Sequence, residues 1–197
     1  MGNLRILAFD PSESTGIAIG TIKDKTLHIE KVGMLFAKKE LDLGLMYLDY
    51  DMKVQKLIMI EEPQIVIQES FFASGKFCQG VDVNFVLRGL ISMACSREDK
   101  SLLTASPSEW KKFVAKRSSP TKEEKLKYGT KAKKAFIQEA LRNKGIILPE
   151  KYTGPSGRKI NVTSDVWDAI GILLYGAYLI DHTDAVENIT LQDLTLF

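Results

Sequence analysis

The order of elements predicts an α/β domain on a mixed sheet with helices on both faces. Three observations predict it. The chain opens with three short apolar runs joined by tight turns. Two later apolar runs alternate with helical stretches. Its 197 residues are enough for one domain with a sizeable core.

Residues 4–9 are a mostly apolar strand candidate ending at Asp10, and PSESTG at 11–16 is turn chemistry. Residues 17–22 read as a second strand, Lys23-Asp24-Lys25 as a hairpin turn, and 26–33 as a third strand with alternation. Three strands so joined form an antiparallel meander. Leu41, Leu45, Leu48, Met52, Leu57 and Ile60 recur near helical spacing until Pro63 stops them. Ile65-Val66-Ile67 is the β-branched run of a buried strand, and it delivers Glu69. Residues 85–94 read as an apolar helix, and Leu102-Leu103-Thr104 as a fifth strand. Ser106, Pro107 and Glu109 suit the cap, first and third positions of the next helix. Residues 116–129 are lysine-rich and interrupted by Pro120 and Gly129, as in a loop or arm with room for a short helix. Residues 131–143 return to helical spacing, 153–157 read as a loop, and Ser164 is expected to cap a long helix over 165–180. The expected division is a single domain over 1–182, with a basic arm around 114–130, and a C-terminal tail over 183–197.

A composition of 45% hydrophobic and 26% charged residues excludes disorder throughout and collagen. Two cysteines, Cys78 and Cys95, exclude a disulfide scaffold and a four-cysteine zinc site, and suit a reducing compartment. No apolar run reaches the ~18 residues of a membrane span, and residues 1–5 lack a signal-peptide layout. A cytoplasmic protein without a membrane partner is expected. The net charge of +2 conceals an asymmetry: residues 107–151 carry +8 and the remainder −6. Such a charge run is ordinarily a solvated helix face. The other reading is a polyanion-binding surface.

Four carboxylates bear on that choice. Asp10 and Glu69 each follow an apolar strand, and parallel neighbours would bring both to the edge where α/β folds bind ligands. Asp165 and Asp168 lie three apart at the start of a helix and share a face. An aspartate after a strand is ordinarily a turn residue, and one in a first helical turn ordinarily a cap. Glu69, two residues after Ile67 at the end of that buried run, must sit near the core, where an acid needs a partner, a proton or a metal. Convergence of all four would call for cations. Hard oxygen donors without a His/Cys set favour Mg²⁺ or Mn²⁺ over zinc. Two such ions can clamp a phosphodiester during in-line attack by water.

These residues resemble the RuvC-like Holliday-junction resolvases of the RNase H-like (retroviral integrase) superfamily, of the phage or viral type. The resemblance rests on ILAFDPSESTG at 6–16, IVIQESFF at 65–72 and SDVWDAI at 164–170, in the family's order and approximate spacing. It implies an RNase H-like five-stranded mixed sheet and a Mg²⁺-dependent crossover-junction endodeoxyribonuclease of DNA recombination and repair. Asp10, Glu69, Asp165 and Asp168 would hold two Mg²⁺ or Mn²⁺ ions per active site. Phe72 matches the aromatic that stacks on unpaired bases at the junction, and Arg88-Gly89 the Arg-Gly of the following helix. Pro107-x-x-Trp110-Lys111 resembles the segment with a DNA-binding lysine, here Lys111 beside Lys112. Lys131-Ala132-Lys133 resembles the segment whose lysine lies near the scissile phosphate, here Lys131, with Lys133 and Lys134 as further DNA contacts. Residues 114–129 are longer and more basic than the bacterial pattern, which leaves the choice among Lys131, Lys133 and Lys134 open.

Branched DNA, especially four-way junctions, and a second copy of the chain are the implied partners. The homodimer contact would use the helix around 81–94, where Phe85, Val86, Leu87, Leu90 and Met93 are apolar. The ending QDLTLF at 192–197 is similar to short sliding-clamp-binding peptides, although packing on its own domain is the commoner fate of such a tail. Trp110 and Trp167 read as core, and Trp110 beside Lys111 and Lys112 also suits a DNA contact. Rival readings are a nuclease of RNA–DNA hybrids or flaps, a non-catalytic branched-DNA-binding protein, and an actin-like ATPase. The last lacks its second phosphate-binding turn, Asp-x-Gly-Gly-Gly.

Overall fold

The computed structural model describes residues 3–37, 42–70, 83–153, 159–181, 185–186 and 195–196. Phe72, Cys78 and tail residues 187–194 and 197 lie outside the described residues.

Strands β1 (Leu4–Asp10), β2 (Ser14–Lys23) and β3 (Thr26–Phe36) form the expected meander. Helix α1 (Leu43–Glu61) leads to β4 (Ile65–Glu69), which lies parallel to β1. Helix α2 (Val83–Arg97) leads to β5 (Ser101–Ala105), parallel to β4. The five-stranded core of the sheet therefore runs β5-β4-β1-β2-β3, mixed as predicted. Helices α3 (Pro107–Ala115), α4 (Lys122–Tyr128), α5 (Ala132–Asn143) and α6 (Ser164–Asp181) follow.

Period-two alternation divides the sheet into two buried faces. Ile6, Ala8, Ala18 and Ile67 face α3, α5 and α6, where Trp110, Ile137, Ile170 and Leu173 fill the layer. Leu7, Phe9, Ile17 and Val66 face α1 and α2, against Tyr50, Val54, Leu87 and Ile91. The result is a three-layer sandwich, with the meander and the parallel strands sharing both cores.

Local details refine the sequence expectation, which left room for a short helix in the lysine-rich arm. The lysine-rich arm contains α4, whose capping box joins Thr121 and Glu124. No α4 residue is buried, so its stability comes from that cap and from local charge pairing. On either side of the expected loop, of which residues 154–157 lie outside the described residues, β6 (Lys151–Thr153) and β7 (Lys159–Asn161) pair antiparallel. Ser164 is the first helical residue rather than the cap, and its hydroxyl bonds Asp165 Oδ1 at 3.2 Å. Ser106 does hold the cap position, but its hydroxyl pairs with Ser108. In the tail, β8 (Ala185–Val186) and β9 (Thr195–Leu196) pair parallel with β3. No helix among the described residues is long and apolar enough to cross a membrane.

Candidate active site

Strand register brings the first two acids together. Phe9 is paired with Gln68, so Asp10 and Glu69 occupy the next positions at the carboxyl ends of two parallel neighbours. Asp10 shares parity with Ile6 and Ala8, and Glu69 with Ile67, so both leave the sheet on the α6 face. The first turn of α6 starts against that edge. Gly16 makes the approach possible, because a methyl group there would stand 1.9 Å from the Asp165 carbonyl oxygen. Asp165 and Asp168 are thereby brought beside the strand ends.

The electrostatics record the convergence. Burial, then the charges of Asp168, Glu69 and Asp165, push the Asp10 carboxyl well above its ordinary range, partly offset by Lys111. Burial pushes Asp168 up to about 7; Lys111 and Lys134 oppose the shift, while Glu69 and Asp165 add to it. Four acids in mutual repulsion favour protonation of some members or the arrival of a cation.

Glu69 is the most heavily engaged. The buried Trp110 donates its indole Nε1–H to Glu69 Oε1 at 3.0 Å. Arg88 donates Nε–H to the Glu69 carbonyl at 3.0 Å and brings Nη2 to 3.5 Å from Oε2. Lys111 Nζ lies 4.0 Å from Oε1. Asp165 accepts from the Thr163 and Ser164 hydroxyls, with Lys134 Nζ at 3.9 Å. Lys112, Lys131 and Lys133 are exposed. Of the residues expected at DNA, Arg88 and Lys111 thus meet Glu69 directly, and Lys134 meets Asp165.

The donor set fits a hard divalent cation, being four carboxylates without histidine or cysteine. As they stand, however, no three Asp, Glu, His or Cys side chains among the described residues are disposed to hold an ion. Holding an ion in common therefore requires side-chain adjustment among these acids.

Gly16, Thr15, Tyr50 and Trp110 have roles that the sequence reading did not give them. Gly16 provides the close approach described above. Thr15 accepts from the buried Tyr50 hydroxyl at 2.7 Å beneath the turn that follows Asp10. Thr15 is the donor to the Ser12 carbonyl at 2.5 Å, which spends its only hydroxyl proton and makes Tyr50 the donor. Trp110 looked like ordinary core or a DNA contact, yet its polar edge reaches the acids. The sequence signal was its place one residue before Lys111, on a helix that starts just past β5.

No family model matches the chain, and no curated protein matches it. Solved structures do. Thermus thermophilus RuvC superposes with a TM-score of 0.61 at 13% identity, over 91% of this chain and 98% of that one. The same organism's RuvC in complex with a Holliday junction substrate gives 0.62 at 13%, over 92% and 98%. The yeast mitochondrial Holliday junction resolvase Ydc2 gives 0.53 at 10%, over 86% and 77%. The chain therefore has the fold of the RuvC-like resolvases, a branch of the RNase H-like architecture. RuvC and Ydc2 are among the solved structures it resembles.

Proposed function

We propose that the protein is a structure-selective endonuclease that cuts branched DNA, four-way junctions first among them. The observation that carries the reading is the meeting of Asp10, Glu69, Asp165 and Asp168 at one sheet edge of a RuvC-like fold. These four residues would hold Mg²⁺ or Mn²⁺, as a pair of ions in each site. Bound there, the ions would supply Lewis acidity toward the phosphodiester and its attacking water.

The chain's own residues bind and orient the strand. Lys131, Lys133 and Lys134 lead into and begin α5, whose Lys134 reaches Asp165, so a backbone phosphate held by these lysines lies beside the acids. Lys131 is the group assigned to the charge that develops at the scissile phosphate. Lys111 and Lys112 extend the basic surface along α3, and Arg88 orders Glu69. Phe72 is assigned to stack on unpaired bases at the branch.

A homodimer fits the same reading, because a four-way junction offers two opposed strands related by a two-fold axis. Supporting it, Phe85 and Met93 of α2 are exposed, as are Leu45, Leu48 and Met52 of the adjoining α1. The tail's resemblance to a clamp-binding peptide stands apart. Leu196 is paired with Met34 of β3, so the tail would have to leave the sheet to dock elsewhere.

The test is a panel of labelled four-way, three-way, flap, hybrid and linear duplexes with Mg²⁺, Mn²⁺ or chelator. Wild type should cut the four-way junction with either metal and be silent in chelator. Asp10→Asn should bind the junction without cutting it. Cleavage retained by Asp10→Asn would defeat the assignment of the acids. Preferred cleavage of RNA–DNA hybrids or flaps would move the substrate to a rival of the same superfamily.

A further inference from the structure

Trp110 is fully buried, and a buried indole N–H requires an acceptor. Its acceptor is Glu69 Oε1 at 3.0 Å rather than a backbone carbonyl. The opposite part of the ring presses on α6. A methyl group on Gly171 would stand 2.7 Å from ring carbon Cζ3, so only glycine admits the ring there. Gly171 lies three residues after Asp168, almost one helical turn along the same face. One rigid side chain from α3 thus spans from the β4 acid to the helix that bears the other two. Lys111 Nζ sits 4.9 Å from the centre of the same ring, which ties the lysine nearest Glu69 to this spacer.

We propose that Trp110 is a positioning residue: seated between Glu69 and Gly171, it sets the direction and distance of the Glu69 carboxylate relative to Asp165 and Asp168 for cation binding. The inference rests on the metal-dependent nuclease reading above and adds the residue that aligns its site. The indole keeps Oε1 of Glu69 directed, while Oε2 faces Arg88 Nη2 at 3.5 Å and is the oxygen a cation would share with that guanidinium. Hydrogen-bonded partners of this kind typically alter metal affinity ~10–100-fold when removed.

The test measures Mn²⁺ binding to the full chain by titration calorimetry, without DNA. Trp110→Phe keeps most of the ring and deletes the donor. It should bind Mn²⁺ ~10–100-fold more weakly than wild type while keeping the native circular dichroism spectrum. Equal affinity in Trp110→Phe and wild type overturns the inference and leaves the nuclease reading intact. A wild type that binds Mn²⁺ no better than Asp10→Asn overturns the metal site itself, and this inference with it.

A second measurement needs no change at Trp110. The chain has two tryptophans, so its indole N–H region holds two signals. The Trp110 signal should move in Glu69→Gln and on addition of Mg²⁺ to wild type, while that of Trp167 stays in place. A stationary Trp110 signal in both experiments overturns the inference, because a residue that merely packs has no reason to register the Glu69 charge or the ion.

Discussion

Gly16 and Asp165 meet backbone to backbone, close enough that a single added carbon would lie 1.9 Å from the Asp165 carbonyl oxygen. The turn after Asp10 and the first turn of α6 are therefore seated on each other, and the distance between two of the four acids is set by the main chain. Gly16→Ala cannot be absorbed by a rotamer change. It should cost on the order of 2–4 kcal/mol of stability, by overpacking against backbone. Junction cleavage should fall more steeply than junction binding. Denaturant melts and paired binding and cleavage assays check this; a native-like, active Gly16→Ala would show that α6 can retreat without harm.

The raised carboxyl of Asp168 gives a signed pH dependence. Its folded pKa of about 7 lies above the usual aspartate value, so the folded state binds more protons between roughly pH 4 and 7. In metal-free protein this contribution makes stability fall as pH rises through that window. Asp168→Asn should therefore raise the melting temperature of metal-free protein at pH 8 and change it little at pH 4. The gain should be on the order of 1–3 kcal/mol. Mg²⁺ should stabilise wild type more at pH 8 than at pH 5. Calorimetric melts across pH, with and without Mg²⁺, measure both effects.

The hydroxyl pair beneath the turn predicts an asymmetry. Tyr50→Phe removes a donor and leaves Thr15 bonded to Ser12, at a cost of about 1 kcal/mol. Thr15→Val strands the buried Tyr50 hydroxyl and should cost about 1–3 kcal/mol. The double variant should cost less than the sum of the two. Urea unfolding of the four proteins decides it, and an additive result would mean that the two hydroxyls do not act as a pair.

Lysines that contact phosphate should leave their mark on the salt dependence. Lys133→Ala should weaken junction binding at low salt and reduce the slope of log K against log salt by about 1, whatever the DNA sequence. Lys25→Ala, in the turn between β2 and β3, serves as the control and should leave the slope unchanged. Fluorescence anisotropy over a range of salt concentrations measures both.

The nearness of Asp10 and Glu69 was legible in the sequence, because each follows an apolar strand and parallel neighbours bring their ends to one side. The Asp165–Asp168 spacing did the same for the helix. A short helix in the lysine-rich arm was allowed for, but its bounds were not read, because the Thr121–Glu124 cap lies among lysines without apolar periodicity. Trp110 was not legible, because helical periodicity places an indole in the core without saying what its N–H meets. Gly16 and Gly171 have meaning only once two distant segments are known to touch. The two-residue strands β8 and β9 are too short for any pattern to reveal.

Those two small strands bear on how the molecule behaves in company. The outer edge of β3 is eleven residues long, and the tail occupies it at Thr26–Leu27 and again at Gly33–Met34. Peeling the tail away would uncover those positions of the edge, enlarging a template for strand addition by neighbouring molecules. Removing residues 185–197 should therefore raise light scattering of concentrated protein, and unchanged scattering would show that the edge is harmless when bare.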